Sequence, residues 1–164
     1  MRTVFVEPLT REAYEPFGQV IETNGADHFP INGGMTERFH DLAKIERGGP
    51  HPRPLLSIAR GKPYALPLTL TMVERHPLGS QAFYPLSSRP FLSIVAPDES
   101  GTPGTPRAFR AGPGQGINMA MNTWHAVLTP LEEESDFLIV DRGGEGNNLE
   151  EHFFAEPYLI VEAR

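Results

Sequence analysis

The sequence predicts an all-β fold, a sandwich or barrel of about ten short strands, and three observations carry that expectation. Glycine (16) and proline (17) are abundant among the 164 residues, enough to interrupt helices often yet short of low-complexity composition. Apolar and polar residues alternate at period 2 in several stretches, most clearly from Leu66 onward. Turn signals recur at close spacing, as in Asn24-Gly25, Asn32-Gly33-Gly34, Gly48-Gly49-Pro50 and Gly112-Pro113-Gly114. With 39% hydrophobic residues, the chain can bury a real core. Its length suits one domain spanning residues 1–164.

The elements follow in order. Thr3 to Glu7 opens as a strand. Thr10 then offers an N-cap hydroxyl ahead of acidic Glu12, so a short helix over Leu9–Glu15 is expected until Pro16 and Gly18 end it. Gln19 to Glu22 is a short strand, and residues 24–54 are rich in turns. Within them, Thr36 to Ala43 alternates polar and aromatic residues. Leu55 to Arg60 is another strand. From Leu66, alternation predicts one face with Leu70, Met72, Glu74 and His76, and another with Thr71, Val73 and Arg75. Gln81 and Phe83 resume after the Pro77-Leu78-Gly79 bend. Phe91 to Ala96 is an apolar strand, and Pro97 to Pro106 a loop. Arg107 to Arg110, Ile117 to Met121 and Asn122 to Leu128 continue the strands. An acidic loop (Glu132 to Asp136) precedes the core strand Phe137 to Asp141, and Tyr158 to Glu162 offers one more. One or two short helices are all that this leaves.

Composition narrows the function. The net charge is -7 and the basic residues are scattered, so no counterion-replacing face for nucleic acid is expected. An anionic substrate needs its own local cation. The absence of cysteine removes disulfides, thiolate nucleophiles and zinc-thiolate sites. Met1 to Pro8 lacks a signal-peptide profile, and no apolar run approaches the ~20 residues that span a bilayer. A cytoplasmic protein with no membrane association is expected.

Two segments stand out chemically: Glu74 to Gln81, and Asn122-Thr123-Trp124-His125. Each sets imidazole and polar groups into strand-like, apolar surroundings, where burial is costly unless something binds them. Together they predict the lining of a small-molecule pocket. Blander roles compete at several positions. His76 precedes a proline and can simply cap a strand end through backbone carbonyls. Trp124, on the opposite face from His125, is expected in core or interface packing. Arg38 can be a surface ion-pair partner of Glu37 or Asp41. Asp141 and Arg142 are expected to pair locally beside the Gly143-Gly144 turn, and no role is assigned to His28, His51 or His152.

The spacing Glu74-x-His76-x4-Gln81 resembles the first cupin motif. Ala120 to His125 resembles the second, with Asn122 at the turn glycine, a residue that also tolerates positive φ. The resemblance closes on one cupin family, ureidoglycolate lyase. The segments Glu74 to Phe83, Gln115 to Asn118, Thr123 to His125 and Asp136 to Gly144 are similar to it, as are Val20 to Thr23, Ile31 to Gly34 and Glu37 to Ala43. The match runs from the first strand to about Asn148, nearly the whole chain.

The resemblance implies a cupin-like (jelly-roll) β-barrel that breaks ureidoglycolate into glyoxylate and urea during allantoin degradation. It also implies a homodimer. The substrate carries hydroxyl, carboxylate and ureido nitrogen on one carbon, so its cleavage calls for a base, an acid and a cationic anchor. His76 and His125 are expected to flank the substrate, with Glu74 orienting or tuning His76; which histidine is acid and which is base stays open. Gln81 suits a carboxylate, a carbonyl or the urea NH₂. Arg38 is the expected carboxylate clamp, because a guanidinium matches a carboxylate in two parallel bonds. Asn32 and His40 are expected to close over the pocket. Glu74, His76, Gln81 and His125 also fall at the cupin metal positions. The family suggests nickel there and no organic cofactor, while an uncharged Gln81 weakens the set, so metal use stays open. Two rivals remain: an amidohydrolase releasing ammonia from the same substrate, and a non-enzymatic cupin that binds a small carboxylate.

Overall fold

A computed structural model describes residues 1–163; Arg164, the last residue of the expected domain, lies outside the described residues. In chain order the elements are β1 (Arg2–Pro8), α1 (Arg11–Tyr14), β2 (Gly18–Ile21), β3 (His28–Ile31), β4 (Thr36–Phe39), β5 (Arg53–Gly61) and β6 (Leu68–Arg75). There follow β7 (Gln81–Pro85), β8 (Phe91–Ala96), β9 (Asp98–Glu99), β10 (Thr102–Pro103), β11 (Arg107–Ala111) and β12 (Gly116–Met119). The last are β13 (Trp124–His125), β14 (Thr129–Pro130), β15 (Ser135–Gly143) and β16 (Glu150–Val161). The helix begins as its cap predicts: Thr10 Oγ1 accepts from the Ala13 backbone N–H at 3.2 Å. It ends in a 3₁₀ turn, Glu15–Phe17, that accommodates Pro16.

Strands β11, β1, β16, β6, β13 and β8 hydrogen-bond in that order, and β8 pairs back onto β11, closing a six-stranded barrel. Within it β1 runs parallel to both neighbours. A second, wholly antiparallel sheet has the order β2-β12-β7-β15-β5. Two cores result. One is drawn from the ring, with Val4, Val6, Leu92, Ile94, Trp124 and Ile160. The other joins ring residues Val95 and Phe109 to Phe83, Ile117 and Phe137 of the second sheet and to Tyr14 of α1. Strand β8 faces both cores, so all six of its residues are buried and its sequence is an apolar run broken only by Ser93, whose hydroxyl pairs with that of Tyr14, rather than an alternation. The cupin-like all-β expectation holds.

Several local expectations need correction. Leu70 and Val73, three residues apart, share the ring core, while Glu74 and His76 face the space between the sheets. The β6–β16 register shifts between Phe153 and Tyr158; such a bulge resets the alternation that a single-face reading assumes. The same irregularity accommodates Pro157, so β16 already begins at Glu150 rather than at Tyr158. The Pro97–Pro106 loop contains the β9–β10 hairpin, and Thr36–Phe39 pairs with His28–Ile31 in a separate two-stranded hairpin. Asp141 and Arg142 do not pair, because neighbours on a strand point to opposite faces. The buried Arg142 guanidinium instead donates to the carbonyls of Gly48, Pro50 and Glu145 at 3.0, 3.1 and 2.7 Å. No helix among the described residues is long and apolar enough to cross a membrane.

Candidate active site

The end of β6, the bend after it and β13 together build one polar cluster. His125 lies directly across from Glu74 on β6 and from Val95 on β8, so both side chains face the second sheet. The turn before β13 needs positive φ, and Asn122 adopts it at 69°. Its backbone N–H donates to the His76 carbonyl at 2.9 Å, tying the two motif segments together. The resulting cavity of about 280 Å³ has Glu74, His76, Gln81 and His125 among its polar lining and Phe83, Ile117, Met119, Leu128 and Ile139 among its apolar walls.

The two imidazoles are oriented alike. His76 Nδ1 lies 2.8 Å from the Asn148 carbonyl oxygen, and His125 Nδ1 lies 2.8 Å from that of Ala126. A carbonyl only accepts, so each Nδ1 carries the hydrogen, and in the neutral ring each Nε2 is left with a lone pair. Both Nε2 atoms are buried and without a partner among the described residues. The rings sit 5.1 Å apart between centroids, and one ligand atom from each of Glu74, His76 and His125 lies within 4.8 Å of the others. Burial, opposed by the Ala126 bond and helped by the nearby His76, holds His125 down at about 4. At neutral pH His125 is therefore uncharged. The bland reading of His76 as a strand-end cap describes only half of the ring.

Gln81 stands at the cavity edge, and its Nε2 donates to Asp141 Oδ2 at 3.1 Å. A carboxylate only accepts, so the amide is fixed with its nitrogen on Asp141 and its carbonyl oxygen free for the cavity. Trp124 is buried in the ring core, where Arg75 stacks on it at 4.3 Å and Asp98 accepts from its indole N–H at 2.8 Å.

The other three expected site residues lie elsewhere in this chain. Arg38 is exposed on β4, Asn32 Nδ2 donates to Thr36 Oγ1 at 3.4 Å, and His40 packs 5.4 Å from Phe29. None of them lines the cavity, and no arginine or lysine among the described residues does. Sequence reasoning also missed two supports. Asn148 holds His76 through its carbonyl, and its Oδ1 accepts from the Leu78 N–H at 2.8 Å. Asp141 holds Gln81. The glycine-rich stretch before Asn148 signals a turn, but nothing in it signals a histidine partner.

The family model described as ureidoglycolate lyase matches residues 1–161. Ureidoglycolate lyase of Chelativorans sp. (strain BNC1) is 69% identical over 98% of this chain and 97% of its own. Ureidoglycolate lyase of Mesorhizobium japonicum is 61% identical, covering 98% of each chain, and ureidoglycolate lyase 2 of Rhizobium meliloti is 58% identical over 96% and 97%. Among solved structures, a dTDP sugar isomerase from Desulfovibrio desulfuricans G20 aligns with a TM-score of 0.48 at 14% identity, covering 84% of this chain and 85% of that one.

Proposed function

The chain belongs to the ureidoglycolate lyase family, and we propose from that premise how its cavity splits ureidoglycolate into glyoxylate and urea. The observation that carries the mechanism is the pair of buried, unpartnered Nε2 lone pairs beside Glu74. The hydroxyl of the substrate loses its proton, the carbon–oxygen double bond forms, the carbon–nitrogen bond breaks and the departing nitrogen gains a proton. The net proton transfer is from oxygen to nitrogen on the same carbon, so one imidazole can serve both ends. His76 Nε2 takes the hydroxyl proton and returns it to the ureido nitrogen, a role worth ~10²–10⁴-fold in rate. His125 is too weak a base, at about 4, to compete for that proton; its lone pair accepts a hydrogen bond from substrate. The carbonyl oxygen of Gln81 accepts from urea NH₂. Arg38, which lies outside this chain's own cavity lining, is the group proposed to clamp the carboxylate, with Asn32 and His40 on the same segment.

A second reading is favoured by the Nδ1 bonds to backbone carbonyls, the support commonly seen behind metal-bound histidines. Glu74, His76 and His125 would hold a divalent ion, nickel by family, with the Gln81 oxygen as a fourth donor. When bound, such an ion supplies Lewis-acid polarisation of a substrate oxygen and a positive anchor. An ion on both Nε2 atoms leaves neither free to move a proton, so the two readings are exclusive.

Metal content, urea, glyoxylate and ammonia are measured on fresh substrate, before and after chelation. Urea equal to glyoxylate establishes the lyase. Activity surviving complete stripping supports the His76 shuttle, and activity lost on stripping but restored by nickel supports the ion. Ammonia in place of urea overturns the lyase in favour of the hydrolase. No glyoxylate above the spontaneous rate leaves a binding protein.

A further inference from the structure

The cavity is electrostatically incomplete for a carboxylate substrate. Among the described residues its lining includes Glu74 and no lysine or arginine, and the nearby Arg75 is turned away onto Trp124, Asp98 and Glu150. A carboxylate entering such a site meets a like charge without a counter-charge, which a low-dielectric pocket penalises heavily. The positive group has to come from outside the lining.

The β3–β4 hairpin carries a candidate without a local role. Among the described residues its strands pair only with each other, and a lone two-stranded hairpin is marginal in water. Phe29 and Met35 on it are 41% and 87% exposed, so it packs little of its apolar surface within this chain. Among its charges, His28 and Glu37 pair at 2.5 Å, whereas Arg38 forms no ion pair among the described residues. The cavity lacks a cation, and the arm offers an unpaired one together with apolar surface to bury.

We propose that the hairpin docks on a second copy of this chain and places Arg38 at the mouth of the partner's cavity, where it binds the substrate carboxylate. The inference rests on the lyase reading for the identity of the carboxylate. Two-fold symmetry makes the exchange reciprocal: each copy gives one arm and receives one, so both sites are completed at once. Each arm thereby gains the packing that it lacks in one chain.

Because the chain has no cysteine, the contact can be mapped without background. Arg38→Cys is paired with Val127→Cys, at a residue that lines the cavity and is 44% exposed. The two single variants are mixed, allowed to exchange subunits and treated with a short bismaleimide. The expected product is a covalent dimer joining position 38 of one chain to position 127 of the other. A double variant that links the two positions within one chain, or mixed singles that give no heterodimer, overturns the proposal. This readout needs no turnover, so it stands even if the lyase assignment falls.

Complementation gives the second readout. Arg38→Ala and His76→Ala proteins, each inactive alone, are expected on statistical exchange to recover about a quarter of wild-type activity, from half the dimers carrying one complete site each. No recovery places Arg38 in its own chain's site, and an Arg38→Ala enzyme with wild-type kcat and KM removes it from any site; either result overturns the exchange. Loss of urea production by the wild-type enzyme in the same assay is the separate mark of a failed lyase reading.

Discussion

Burial strips His125 of its proton at neutral pH, and the bond to the Asn148 carbonyl aims the lone pair of His76 into the same space. His76→Ala is therefore expected to lower kcat by about 10²-fold or more while the thermal midpoint stays near wild type; a near-normal rate of urea release overturns the assignment. Gln81 tests a finer point. If Asp141 matters because it fixes the amide, Asp141→Asn keeps an oxygen that accepts from Gln81 Nε2 and retains most activity. Asp141→Ala frees the amide and is expected to raise KM about tenfold, with little change in kcat. Equal losses in both variants would mean that the carboxylate charge, and not the orientation, is what counts. Glu74, His76, Gln81 and His125 were legible because they come in two short segments whose spacing is set by strand geometry. Asp141 and Asn148 were not, lying 60 and 72 residues from their partners; only the pairing of β15 with β7 and the return of the chain toward β16 bring them in.

Elements were legible where their chemistry is local. The Thr10 cap, the proline-bearing turn and the positive φ of Asn122 each depend on a few adjacent residues. The bulge in β16 depends on the partner strand, and the expected phase of β6 failed there. Gly18 joins both scales. It sits at φ 148°, and an added Cβ would stand 1.9 Å from the Asn118 carbonyl oxygen in β12, backbone that no rotamer change can move. Gly18→Ala is expected to cost about 4 kcal/mol, read from urea unfolding; a loss under 1 kcal/mol would show that β2 can shift away from β12. The helix supplies a pH test. Tyr14 is buried, donates to or accepts from Ser93 at 2.9 Å, and desolvation raises its phenol well above 10. In the unfolded chain the phenol ionises near pH 10 while the folded one does not, so its contribution is whole below that pH and declines above it. The stability gap between wild type and Tyr14→Phe should shrink from about pH 9 to about pH 11, and a constant gap would mean that Tyr14 ionises in place.

For the whole molecule, the second sheet poses the question that the ring does not. Ring strands have neighbours on both sides, but β5 is an edge, paired among the described residues with β15 alone. Its outward residues Leu56 and Ile58 are 73% and 64% exposed, opposite Val140 and Leu138, with Tyr84 next across the sheet. An apolar sheet face beside an open edge is a surface that proteins usually cover, and a second copy can cover it by the isologous packing expected of a homodimer. A chain with net charge -7 also repels its own copies, so such contact needs apolar area, on the order of 800 Å² per partner. Leu56→Asp places a charge in that face without touching either core. It is expected to give a folded monomer in sedimentation velocity, with the wild-type far-UV spectrum. The same monomer should lose turnover of ureidoglycolate while its His76 and His125 remain in place, because the Arg38 proposed to bind the carboxylate arrives with the second chain. A Leu56→Asp protein that stays dimeric moves the interface to another face. A true monomer with full activity shows that one chain completes its own site.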